Sequence, residues 1–434
     1  MLRRIRYFFE DLAYFARRQP LGFLRMVGGV LVACALIAGV YVAARELLED
    51  DEPEAPALAP EIFVRTGSAP EETEDIGFPT FATRNTTRIA GADSIAIAAG
   101  AALATFPTDA PPAVALADVG DWPGALAASV LFADPVSAPL LFTADGEVPE
   151  LTADALAALD PRGSAATGRD QAFVIGDAAA PDDLRTDQVT GGNPAELALA
   201  IATLRTELAG EDPDHLLVVS SDDPEYAMPA AAWAARSGDP ILFAQRDSVP
   251  AATIDAIERW EEAEVFVLGP ESVISDGALR RLRRAASNVR RVGEEGPVEN
   301  AVAFARYVRG EFGWNINDPG HGFVVANTAR PTDAAAAAPL SASGSWGPLL
   351  LTDSAETAPP ALAGYLLDLK PGYETDPTRA VFNHLWIIGD EASISTALQA
   401  ELDEIAELAP VRSGEGESFL GPDAGAPEPE TRAD

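Results

Sequence analysis

From about residue 88 to 411, short apolar runs alternate with stretches of helical period, and the alternation comes round three times. Each round opens on a glycine-containing turn that predicts entry into an amphipathic helix: RIAGADSIAIAAGAALA from Arg88, VTGGNPAELALAIATLRTEL from Val189 and RVGEEGPVENAVAFARYVRGEF from Arg291. An uninterrupted apolar run follows, AVALAD from Ala113, HLLVVSSDD from His215 and GFVVANT from Gly322, as suits a strand buried on both faces. An alanine-rich helix comes next, from Gly124, Glu225 and Asp333. Then a proline introduces a second strand: Pro139, Leu140, Leu141 and Phe142; Pro240, Ile241, Leu242 and Phe243; Pro348, Leu349, Leu350 and Leu351. A further helix leads to a strand that ends in glycine, AFVIGD to Asp177, VFVLGPESVI to Ile274 and LWIIGDEASI to Ile394.

The prolines stand 101 and 108 residues apart, too far for a solenoid repeat and about right for a small domain. The pattern therefore predicts an α/β fold of three tandem modules, at 88–187, 188–289 and 290–411, each with a parallel sheet covered on both faces.

The flanks differ. Residues 26–44 hold no charge, and 19 helical residues span roughly 28 Å, enough to cross a hydrocarbon core of about 30 Å. Arg3, Arg4, Arg6, Arg17, Arg18 and Arg25 precede the run and acids follow it. The expectation is a single transmembrane helix with residues 1–25 cytoplasmic and the bulk extracytoplasmic. Nineteen apolar residues exceed a signal-peptide core, which favours an uncleaved anchor. Leu31 to Cys34 resemble a bacterial lipoprotein box, but the apolar residues after Cys34 favour the anchor there too. Ile5, Phe8, Phe9, Leu12 and Phe15 fall at helical spacing on the inner side. Residues 45–87 read as an acidic tether and 412–434 as a disordered tail.

Charge narrows the choice of partners. With 68 acids against 30 bases the chain carries a formal charge of -38, which repels nucleic acid at long range. The lone cysteine, Cys34, leaves no intrachain disulfide.

The order RxxGxD, strand, alanine-rich helix, PILL, then a strand of the VxVxGG type resembles the cell wall-binding repeat type 2 family of bacterial and archaeal surface proteins. The resemblance implies three Rossmann-like modules in a pseudo-threefold arrangement. It further implies anionic cell-wall polymer as partner, held near the module interfaces by the PILL segments, here Pro139, Leu140 and Leu141, Pro240, Ile241 and Leu242, and Pro348, Leu349 and Leu350. Copy one keeps Arg88, Gly91 and Asp93 of RxxGxDR but has Ser94 at the second arginine; the later copies keep Gly192 and Gly293. Counting back from PILL, the aspartate of the family's FPDAL falls at Gly124, Glu225 and Asp333.

An anionic polymer needs a local basic site or bridging divalent cations on so acidic a chain. SDGALRRLRRAASNVRRV supplies Arg280, Arg281, Arg283, Arg284, Arg290 and Arg291 within 12 residues. Guanidinium forks suit phosphate or carboxylate, while a solvated helix face balancing local acids is the plainer use of the same residues. Ser220 to Asp223 has no recognisable calcium-loop spacing. His215, His321 and His384 fall in different copies without HExxH spacing, and no GxSxG elbow or phosphate loop occurs. No enzyme activity and no cofactor are expected. The expected function is a non-catalytic, membrane-anchored envelope protein that binds wall polymer. A solute-binding or sensory ectodomain and a degenerate protein-interaction scaffold are the alternatives; an open groove between modules would favour the polymer reader, a closed cavity within one module the solute binder.

Overall fold

In copy one of the computed structural model, which describes residues 80–411, a hairpin of β1 (Thr80–Ala82) and β2 (Thr86–Ile89) leads into α1 (Ser94–Thr105). Then come β3 (Val114–Asp118), α2 (Trp122–Ala128), β4 (Leu140–Thr143), α3 (Glu150–Leu159), β5 (Ala172–Ile175) and β6 (Thr186–Val189). Copy two runs α4 (Pro194–Ala209), β7 (His215–Ser220), α5 (Pro224–Ser237), β8 (Ile241–Ala244), α6 (Ala251–Arg259), β9 (Glu264–Leu268), α7 (Asp276–Ala285) and β10 (Val289–Val292). Copy three runs α8 (Pro297–Arg306), β11 (Gly322–Asn327), α9 (Pro331–Ala342), β12 (Leu349–Thr352), α10 (Pro360–Asp368), β13 (Gly372–Tyr373), β14 (His384–Ile388), α11 (Thr396–Ala406) and β15 (Ala409–Pro410). Among the described residues no helix is long and apolar enough to cross a membrane. The apolar run 26–44, most of the tether and the tail lie outside the described residues.

Among the described residues three large sheets result, in the orders β4-β3-β5-β6, β8-β7-β9-β10 and β12-β11-β14-β2, the last extended by β1, and β13 and β15 form a small separate pair; apart from the β1–β2 pair every neighbour is parallel. The modules thus have a fourth strand that the hydrophobic pattern does not announce. It is only four residues long and at least half polar, TTRI, TDQV or VRRV; TDQV and VRRV lie at the sheet edge and are partly exposed, while TTRI is largely buried beside β1. Each copy of it pairs into one sheet while the helix that follows packs on another: β6 closes the first sheet and α4 covers β8, β10 closes the second and α8 covers β12. The cycle closes through the chain's beginning, since β2 pairs with β14 of copy three while α1 covers β4 of copy one.

The alanine-rich helices meet at the centre. α5 and α9 pack together, and α2 touches both. Ala227, Ala230, Ala231, Ala232 and Ala234 of α5 and Ala334 to Ala338 of α9 are buried, so backbones approach closely with little side-chain entropy lost.

Arg88 locks the closing strand. It is 5% exposed, and its guanidinium donates to the carbonyls of Gly389 (2.8 Å), Asp390 (3.1 Å) and Ile394 (2.7 Å) and to Gln399 Oε1 (2.9 Å). The sheet register places Gln188 and Arg291 at the same position in the other modules. Gln188 Nε2 donates to the Gly176 carbonyl at 2.7 Å, and Arg291 to the carbonyls of Gly269 (2.8 Å) and Ile274 (2.7 Å). Replacing Arg88 by Met would leave several buried carbonyls unpaired, an expected cost of about 3 kcal/mol or more in urea unfolding. Arg291→Met, at a half-buried site, is expected to cost about 1 kcal/mol. Equal, negligible costs would show that the closing strand is dispensable.

Candidate functional site

All nine predicted PILL positions are buried: Pro139, Leu140 and Leu141; Pro240, Ile241 and Leu242; Pro348, Leu349 and Leu350. The six aliphatic residues lie in β4, β8 and β12, whose outer edges are covered by α1, α4 and α8. The proline precedes the first strand residue, where a missing N–H removes nothing from the ladder. These side chains are core, and they offer no surface to a polymer. Two of their neighbours reach a cleft: buried Asp239, which precedes Pro240, and half-buried Trp346, two residues before Pro348.

Those neighbours line an open cleft of about 460 Å³ between copies two and three. Trp233 and Arg236 come from α5, His215 from the start of β7, and Trp314 and Glu311 from the loop between α8 and β11. Trp233 meets Trp314 edge to face at 5.4 Å, and Trp314 and Trp346 lie near parallel at 6.3 Å. The Arg236 guanidinium sits 3.6 Å from the Trp346 ring centre, a cation–π contact. Asp239 accepts from Trp233 Nε1 at 2.6 Å and lies 3.4 Å from His215 Nδ1. Trp314 Nε1 is buried without a partner. Tryptophans scattered over more than 100 positions give no local motif, so sequence inspection passes over this cleft.

The six clustered arginines separate. Arg280, Arg281, Arg283 and Arg284 are exposed on α7, whose apolar face, Ala278, Leu279 and Leu282, is buried; none of the four has a hydrogen bond or ion pair. Ser275 caps this helix through the Ala278 amide, and the basic residues gather toward its C-terminal end, where the helix dipole favours them. Arg291 belongs to the scaffold, and Arg290 Nε is buried without a partner.

The register corrects two motif assignments. Asp118, Ser220 and Asn327 end the first strands and pair with Thr143, Ala244 and Thr352. Copy two is one residue shorter between these strands, so the counterpart of Gly124 and Asp333 is Tyr226 rather than Glu225. Asp333, 1% exposed, accepts from Ser94 Oγ at 2.5 Å and from Arg330, tying α9 to α1. The counterpart of Gly91 is Gly191 rather than Gly192: a Cβ on Gly91 would stand 2.8 Å from Ala96 Cβ, and one on Gly191 would collide with the Leu197 backbone. At Ser220 to Asp223 the serine hydroxyl takes both following amides, of Asp222 and Asp223, in a local turn. Among the described residues no three His, Cys, Asp or Glu side chains are grouped to hold a metal ion.

Three parallel α/β sheets around alanine-rich helices, the third completed by the first described strands of the chain, define a tandem Rossmann-like architecture. Residues 188–279 match the family model Cell wall binding domain 2 (CWB2), so the resemblance to the cell wall-binding repeat type 2 family is shown on copy two. Among solved structures the chain is similar to Cwp6 from Clostridium difficile, with TM-score 0.57 and 17% identity over 74% of this chain and 47% of that one. It is similar also to Cwp8 from Clostridium difficile, with TM-score 0.57 and 18% identity over 75% of this chain and 52% of that one. The chain spans about half the length of each, and at this identity the likeness is one of fold. No curated protein matches it.

The cleft histidine titrates in a defined direction. Burial opposes its charge, but the hydrogen bond to Asp239 and the charges of Asp239, Asp214 and Glu264 outweigh burial and raise the His215 pKa. Burial prevails at His384, against Asp403, and lowers its pKa. NMR titration is expected to place His215 above and His384 below the ordinary value of about 6.5. A raised folded pKa contributes stability that is complete below about 6.5 and is lost as pH rises through the folded value. His215→Gln is expected to remove that part of the pH dependence; the opposite order of midpoints would refute the assignment.

Proposed function

We propose that the protein is a non-catalytic, membrane-anchored component of the cell envelope whose triple module binds anionic wall polymer. The observation that carries this reading is the row of four exposed, unpartnered guanidiniums on α7, immediately after the residues 188–279 that match the wall-binding family model. On a chain at -38 an unpaired cluster of arginines is a local reversal of sign. Arg280 and Arg284 are spaced i,i+4, and Arg280 and Arg283, like Arg281 and Arg284, i,i+3, which brings the four side chains into one band. Each guanidinium can meet a phosphate or carboxylate through two parallel N–H bonds. Because these groups are exposed, their attraction is confined to about 8 Å at physiological salt, so the polymer must come to the helix itself.

The PILL residues serve this function as frame: their strands set where copies two and three meet and so shape the open cleft between them. An open inter-module cleft agrees with a polymer reader better than with a closed solute cavity. The anchor in this proposal is the uncharged run 26–44, which also assigns the modules to the extracytoplasmic side.

The test is co-sedimentation of the detergent-solubilised full chain with purified wall sacculi, with and without chelator. Replacing Arg280, Arg281, Arg283 and Arg284 by Ser is expected to reduce retention at least tenfold while circular dichroism stays unchanged. Retention that persists in the arginine variant and disappears with chelator would move the contact to bridged carboxylates. Absence of retention at every salt concentration would refute wall binding.

A further inference from the structure

Copies two and three place a helix after the third strand of their sheet, α7 beside α6 and α11 beside α10. Copy one does not: residues 176–185 pass from β5 to β6 as a loop of ten residues, where copy two uses the twenty residues 269–288. The outer flank of α3 is left without a covering helix. On the strand beneath, Asp187 and Gln188 of β6 are exposed, while Arg290 and Arg291 of β10 are half-buried.

A groove of about 590 Å³ occupies this place. Val148, Leu156, Pro161 and Leu184 form its apolar part. Glu147, Asp160, Asp182 and Asp183 stand exposed at its rim, and of these only Asp160 has a basic partner, Arg162. Arg185 is turned to Asp170.

We propose that this groove is a docking site for a basic amphipathic helix of a partner protein. The apolar part and the size suit a helix of about ten residues, roughly 15 Å long, which is the length of α7 in copy two. The acidic rim selects for Lys or Arg on the helix flanks, as in helix-in-groove recognition with complementary charge. The chain's own tail is a poor occupant, since residues 412–434 carry Glu415, Glu417, Asp423, Glu428, Glu430 and Asp434 against Arg412 and Arg432. A second copy offers arginines on α7, but the apolar face of that helix is already buried in its own module. The inference leaves the polymer-facing arginines of the proposed function untouched and stands independently of them.

The probe is a fluorescein-labelled synthetic peptide of residues 273–287, VISDGALRRLRRAAS, the helix that fills the corresponding place in copy two. Anisotropy titration with the full chain is expected to show saturable binding. It should weaken at least tenfold with Asp182→Lys and Asp183→Lys together, two exposed positions, while circular dichroism of the variant stays unchanged. A peptide with Leu279→Ser and Leu282→Ser should also bind at least tenfold more weakly. Absence of saturable binding overturns the proposal, as does binding that responds to salt but to neither set of substitutions. Sedimentation showing that the chain self-associates and that the peptide competes with this would also overturn it, assigning the groove to a second copy.

Discussion

The pairing of β2 with β14 is the constraint on which the other features depend. It joins the first described strands of the chain to the last sheet, so the sheet of copy three is incomplete without them, whereas β6 and β10 close the sheets of copies one and two from within those copies. A parallel strand contributes hydrogen bonds only when its neighbour is in place, so copies one and three share the stability of the last sheet. Arg88 belongs to that pairing. Its charge is tolerated at 5% exposure because four acceptors surround it, and burial lowers its pKa against the opposing influence of Glu391 and Asp390.

The same position shows how a scaffold residue and a binding residue can look alike. Arg291 and Arg284 stand seven residues apart in one basic stretch, yet the first satisfies loop carbonyls and the second faces water. What separates them is local geometry: Arg291 sits on a strand whose next-door loop turns its carbonyls inward, whereas Arg284 sits on a helix whose inner face is already filled by Leu279 and Leu282. Charge counting treats them as one patch. The fold splits it.

The core strands and the alanine-rich helices were legible in sequence because burial on two faces writes long apolar runs and close helix packing writes alanine. The fourth strands were not, because TDQV and VRRV carry no apolar period, and the partner of TTRI lies about 300 residues away in copy three. The PILL segments were found in the right places, but an apolar strand reads the same whether it supports a site or forms one. Tyr226 was displaced by a single missing residue, and the tryptophan cleft was invisible because its residues converge only after the copies assemble. Of the basic cluster, the four exposed positions on α7 keep the side-chain freedom that a contact surface requires.

The exchanged strand also fixes how the molecule would carry mechanical load. A pull arriving from the N-terminal side enters through β1 and β2, and therefore through the sheet of copy three rather than copy one. Tension would be shared at once between the beginning and the end of the described chain. The same closure makes the first and last copies interdependent: a chain without β2 would leave the sheet of copy three short of its fourth strand, whereas the middle copy completes its own sheet.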